Sequence, residues 1–171
     1  NAAGHVAAAA GNRDGELFVT TDEAKKFAKR IADAGFDGVW VNIANPCDVV
    51  TTALQYLSGA DPYKVIGSGT TLDSARLRHA LSGATGYPAS CINAWMLGEH
   101  GNGMFACWSH VAIACLTLDE VAAQTGKTFD LPELEQAGRM GGYVTYSGKQ
   151  CTEYSIANGA VEVIKAIGHD T

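Results

Sequence analysis

The chain has 171 residues, 47% of them apolar, which is enough to build a buried core, and it carries a formal net charge of -6. Its twelve Lys and Arg are scattered against eighteen Asp and Glu, so no basic patch exists to neutralise a run of phosphates and nucleic acid is excluded as a partner. The longest apolar runs fall well short of the ~20 residues a membrane span needs and no cationic leader opens the chain, so no membrane partner and a cytoplasmic location are expected.

Residues 1–15, small and punctuated by Gly4, Gly11 and Gly15, read as a long loop or irregular segment rather than the start of a fold. Thr21-Asp22-Glu23 offers a helix cap followed by acids, and Ala24, Phe27, Ala28 and Ile31 recur at helical spacing until Gly35. The run Val39-Trp40-Val41-Asn42-Ile43-Ala44 predicts a parallel strand buried on both faces. Asn45-Pro46 precedes a helix over Asp48 to Leu57 that Gly59 closes, and Lys64-Val65-Ile66 predicts a second strand. Helix, strand, helix and strand in this order are the grammar of an α/β fold.

A charged helix is expected from Leu72 to Ala80, a turn from Gly83 to Pro88, and a strand from Cys91 to Leu97. That strand runs into Gly98-Glu99-His100-Gly101-Asn102-Gly103, a glycine-rich loop at a strand end, where function concentrates. Met104 to Cys115 predicts a β-hairpin. Asp130-Leu131-Pro132-Glu133 starts a helix reaching about Tyr146 despite Gly138, Gly141 and Gly142, and Thr152 to Ile167 predicts the last helix.

Five cysteines without a C-x-x-C pair read as buried free thiols, and the histidines show no metal-ligand spacing, so no metal site is expected. Gly67-Ser68-Gly69 between a strand and a helix invites a dinucleotide fingerprint, but Leu72 stands where its third glycine belongs. Asp73 and Arg76, three apart, share a helix face, an arrangement that also suits a solvated surface. Ser109 or Ser74 with His100 would supply the residue types of a hydrolase, without the G-x-S-x-G elbow that supports one.

Asn45-Pro46-Cys47-Asp48, Gly67-Ser68-Gly69-Thr70-Thr71-Leu72-Asp73-Ser74-Ala75-Arg76 and Leu97-Gly98-Glu99-His100-Gly101 occur in the order and approximate spacing of L-lactate and malate dehydrogenases, and the chain resembles that family over nearly its whole length. Gly11-Asn12-Arg13-Asp14-Gly15 and Gly148-Lys149-Gln150-Cys151-Thr152 look closest to the L-2-hydroxyisocaproate dehydrogenase branch. The resemblance implies an α/β chain in which residues 1–67 are a partial NAD-binding domain, the C-terminal part of a Rossmann-type parallel sheet including the catalytic loop. Residues 68–171 then form part of an α+β catalytic domain.

It further implies His100 as acid/base toward the C2 oxygen of a 2-oxo or 2-hydroxy acid, with Asp73 as its carboxylate partner. Arg76 would grip the substrate carboxylate in a two-pronged pair, Arg13 would polarise the carbonyl from a closing loop, and Asn45, before a cis Pro46, would bond the same oxygen. Thr152 matches a pocket wall, Ile156 a residue packing on the nicotinamide, and Ser68 and the Ile43 backbone the carboxamide contacts. The stretch around Ala7 faces the substrate side chain. It is small and apolar, without the arginine of malate enzymes, which favours a bulky aliphatic acid over oxaloacetate or pyruvate.

Arg78 stands where sugar-phosphate-regulated lactate enzymes have a ligand, but Asn93 replaces the partner histidine, so no allosteric site is expected. The family's first strand, glycine fingerprint and helix are absent before Asn1, as are elements after the last helix. The expectation is a chain shortened at both ends that binds NAD weakly by itself and associates with its own copies at full length. A malate or lactate dehydrogenase and a non-catalytic fragment of the same fold are the alternatives.

Overall fold

The computed structural model describes residues 16–149 and 151–171. Their contacts divide into two compact units, one ending at Gly69 and resuming at Ile156–Thr171, the other Thr70–Ser155. Among the described residues no helix is long and apolar enough to cross a membrane.

The first unit contains helix α1 (Leu17–Asp33), strand β1 (Trp40–Asn42), helix α2 (Cys47–Ser58) and strand β2 (Val65–Gly67), together with helix α6 (Glu153–His169) from Ile156 onward. α1 begins a turn earlier than the Thr21 cap predicts: the Thr21 hydroxyl donates back to the Leu17 carbonyl (2.7 Å), so Thr21 is a helix-interior residue. Ala24 and Ala28 of α1 are buried, and their small side chains join Val50 and Leu54 of α2 and Val65 of β2 in one core cluster. Both α1 and α2 stop where a glycine takes a left-handed φ, +88° at Gly35 and +67° at Gly59. β1 and β2 pair in parallel, Trp40 opposite Val65 and Asn42 opposite Gly67, with α2 as the crossover between them. The strand is shorter and less covered than its apolar run predicts, since Trp40 and Val41 are only half-buried and the buried member is the polar Asn42.

The second unit opens with α3 (Thr71–Thr85), which runs five residues past its expected end at Ala80 because Gly83 stays helical and the left-handed stop is Gly86. The expected strand 91–97 keeps its alternation, Ile92, Ala94 and Met96 buried and Asn93, Trp95 and Leu97 exposed. It divides between two antiparallel ladders: β3 (Ile92–Asn93) pairs with β6 (Ala112–Ile113), and β4 (Met96–Leu97) with β5 (Phe105–Ala106). Residues 104–115 are therefore not a hairpin. They form the returning arm of one that turns on the 98–103 loop, bent midway by a 3-10 turn at Trp108–His110.

Helices α4 (Leu118–Thr125) and α5 (Leu131–Lys149) complete the unit. Its core joins Leu77 and Leu81 of α3, Ile92, Met96, Met104, Ala106 and Ile113 of the strand region, Val121 of α4 and Leu134 of α5. Of the five cysteines only Cys47 is buried, contrary to the expectation of buried thiols, while Cys91 and Cys115 are exposed.

Candidate active site

Asp73 lies in the first turn of α3, where the helix dipole favours an anion, and it is fully buried. A buried carboxylate must be paired to be tolerated, and here each oxygen has a cation-capable partner. Oδ1 accepts from Nη1 of Arg76 at 2.9 Å and Oδ2 meets Nδ1 of His100 at 2.5 Å. A carboxylate against Nδ1 calls for the ring proton on that nitrogen, which makes Nε2 the basic nitrogen of the neutral imidazole. The Arg76 and His100 side chains are 15% and 9% exposed, so the three groups meet in a largely dry place where their electrostatics are strong.

Local sequence explains how these groups converge. α3 has no side-chain cap; the Thr70 hydroxyl donates instead to the Met96 carbonyl at 2.6 Å, and Ser74 Oγ accepts from the Met96 amide at 2.9 Å. Two hydroxyls of the helix that carries Asp73 thus fix the strand that leads to His100. The loop is tight at its neck: Gly98 has φ +88°, and a Cβ there would stand 2.8 Å from the Gly103 carbonyl oxygen. Glu99 Oε1 accepts from the Gly103 amide at 3.0 Å across the same loop.

α5 supplies the opposite wall. A Cβ on Gly141 would lie 2.6 Å from Cδ of Arg76, so the bare backbone at this position makes room for the guanidinium stem. A Cβ on Gly138 would meet Met96 Sδ at 3.4 Å and the Asp73 carbonyl oxygen at 3.6 Å, ordinary contact distances. Gly141, unfavourable in a helix on propensity alone, thus has a packing reason at the site.

The remaining expected site residues distribute as follows. In the first unit Asn45 precedes Pro46 through a cis peptide, Ile43 follows β1, and Ser68 is buried just after β2. These segments are joined by Asn42, whose carbonyl accepts from the Ser68 amide (2.8 Å). Its side chain accepts from the Ala44 amide (3.1 Å) and donates to the Cys47 carbonyl (3.0 Å) and the Thr51 hydroxyl (3.1 Å). Ile156 lies on α6 in the first unit, and Thr152, half-buried, precedes that helix in the second. Arg13 and Ala7 lie outside the described residues.

Asn42 and the α5 residues were missed by sequence reasoning. A polar residue within an otherwise apolar strand run was the readable sign for Asn42. The hydrolase alternative finds no geometry: Ser74 is engaged with Met96, and Ser109 contacts its neighbour His110 at 2.9 Å. Arg78 lies over the Trp95 ring, 5.7 Å from its centroid. Among the described residues no group of three or more metal-ligating side chains gathers.

The chain is 38% identical over 148 residues to an L-lactate dehydrogenase of Streptococcus gordonii, which covers 85% of this chain and 45% of that protein. It is 34% identical over 153 residues to L-lactate dehydrogenase 2 of Listeria monocytogenes, covering 89% of this chain and 49% of the relative. The fold superposes on the crystal structure of Cryptosporidium parvum malate dehydrogenase with a TM-score of 0.88 at 28% identity, over 96% of this chain and 53% of that one. The chain thus spans about half the length of the proteins it matches. Residues 70–171 match the α/β C-terminal domain of lactate/malate dehydrogenases, and the chain belongs to the lactate/malate dehydrogenase family.

Proposed function

We propose that this chain carries the substrate-gripping and proton-transferring part of an NAD-linked L-2-hydroxy-acid dehydrogenase. The observation that carries the reading is the single buried carboxylate of Asp73 shared between an imidazole and a guanidinium. In the direction of reduction a bound NADH would supply hydride to C2 of a 2-oxo acid, and the negative charge developing on the C2 oxygen would need a proton. His100 delivers it from Nε2, while Asp73 on Nδ1 orients the ring and stabilises its charged form. Arg76 holds the substrate carboxylate and so decides which end of the acid faces His100. Arg13 is proposed to polarise the carbonyl and Asn45 to bond the same oxygen.

The first unit offers residues that suit the nicotinamide end of the cofactor. Residues 43–46 and Ser68 follow the carboxyl ends of two adjacent parallel strands, the place where α/β sheets take nucleotides. Ile43, Asn45, Ser68 and Ile156 are the proposed contacts there. The second unit is accordingly read as the catalytic part, with Thr152 as pocket wall, and copies of the whole protein are expected to associate.

For the substrate we infer a branched aliphatic 2-oxo acid, with the small residues around Ala7 leaving room for its side chain; each buried methylene contributes about 0.8 kcal/mol. Lactate- and malate-type substrates are the competitors. The test is NADH oxidation with 2-oxoisocaproate, pyruvate and oxaloacetate by the full-length protein, unaltered and as His100→Gln. A fall in kcat of about 10²–10⁴ in the variant supports His100 as the proton donor. Unchanged kcat would remove it from that role, and equal turnover of oxaloacetate and 2-oxoisocaproate would end the aliphatic assignment.

A further inference from the structure

The loop that carries His100 is held from a second side by α5. Glu135 Oε2 accepts from the Ala106 amide at 3.1 Å, while its Oε1 takes Nη2 and Nε of Arg139 at 2.7 and 3.2 Å. Arg139 then reaches back with Nη1 to the Asn102 carbonyl at 3.1 Å. The circuit from Ala106 through Glu135 and Arg139 to Asn102 spans the returning arm of the hairpin. It ends two residues after His100.

An i,i+4 Glu–Arg pair is ordinarily a surface feature of little consequence, but two observations set this one apart. Its side chains are only 20% and 29% exposed, and both partners bond backbone groups of a distant segment. Burial pushes the Glu135 carboxyl up, yet hydrogen bonds from Arg139, the Ala106 amide and the Trp108 side chain outweigh it and hold the group below its ordinary value. Glu135 therefore stays ionised at neutral pH.

We propose that Glu135 and Arg139 are positioning residues for His100: together they clasp the 102–106 arm so that the imidazole stays against Asp73. This rests on the reading of His100 as the proton-transferring group. Asp73 fixes one ring nitrogen, and the clasp fixes the backbone from which the ring projects. Neither Glu135 nor Arg139 is bonded to Arg76, so losing the clasp disturbs proton transfer more than carboxylate binding.

The experiment compares Arg139→Ala, Glu135→Gln and the conservative Arg139→Lys with the unaltered chain, using amide hydrogen exchange and the NMR signal of the His100 Nδ1 proton. Expected are at least tenfold faster exchange over residues 99–104 in the first two variants, a weakened His100 signal, and wild-type exchange in the α3 core. Arg139→Lys, which keeps one donor, is expected to fall between. Where turnover is measurable, kcat falls several-fold while KM for the 2-oxo acid changes less than twofold. Wild-type exchange at 99–104 in both variants overturns the proposal, and so does a uniform rise across the second unit, which is the mark of a merely structural pair. The exchange comparison needs no turnover, so it decides the clasp separately from the dehydrogenase reading, which fails instead if the full-length protein turns over no 2-oxo acid.

Discussion

Arg76 holds its place because residue 141 has no side chain, and this gives an unusual expectation for a single methyl group. In a helix interior, Gly to Ala ordinarily adds about 0.5–1 kcal/mol of stability by restricting the unfolded chain and favouring the helix. At position 141 the new Cβ would meet Cδ of Arg76 at 2.6 Å, so the guanidinium stem must move away from Asp73. Gly141→Ala is therefore expected to leave the urea midpoint unchanged or higher while raising KM for the 2-oxo acid at least tenfold, a loss of about 1.4 kcal/mol in binding. A wild-type KM in a well-folded Gly141→Ala protein would show that the present pose of Arg76 has no part in gripping substrate. The same residue-level logic applies to Asp73, which is fully buried and shared by two cation-capable partners, so that removing it takes one carboxylate from both at once.

At the scale of elements, period and punctuation carried far: glycines at 35 and 59 end helices as left-handed residues, and 92–97 alternates strictly between core and solvent, although the third helix passes its expected end and stops only at Gly86. Pairing was less legible, because alternation tells which face a residue occupies and not which strand it meets. The arm 104–115 looked like a hairpin on its own, whereas its partners lie upstream across the 98–103 loop. The charge spacing of Asp73 and Arg76 was visible, but their meeting with His100 depends on hydroxyl contacts from α3 to Met96 that no local pattern announces.

α4 was overlooked although its start is written plainly. Thr117 accepts from the Glu120 amide, and Glu120 returns a carboxylate to the Thr117 amide at 2.7 Å, a complete capping box. Thr117→Ala is expected to cost about 1 kcal/mol in urea unfolding. The Glu120 carboxyl is held below its ordinary value by the Thr117 amide first and its hydroxyl second. A carboxyl lowered by folding adds stability above its unfolded value and loses it as pH falls through the folded one. Glu120→Gln should thus flatten the acid-side decline in stability while leaving the alkaline side unchanged, and an unaltered acid-side slope would dissociate the cap from that decline.

Across the whole molecule the two units contribute unequal shares of the proposed chemistry. The Thr70–Ser155 unit contains its own proton-transfer and carboxylate-gripping groups, since Asp73, Arg76 and His100 all belong to it. The other unit presents segments at two parallel strand ends, which suit a nicotinamide, but a pyrophosphate needs more: a glycine-rich turn leading into a helix whose N-terminal amides face the phosphates. Within these 171 residues the nearest match is Gly67-Ser68-Gly69, which fails at Leu72. Much of the binding energy of a dinucleotide comes from its phosphates, so this chain by itself is expected to show no saturable heat with NAD at micromolar concentrations in calorimetric titration. Micromolar affinity would mean that the strand-end segments and α6 suffice for the cofactor, and the division of labour between the units would have to be redrawn.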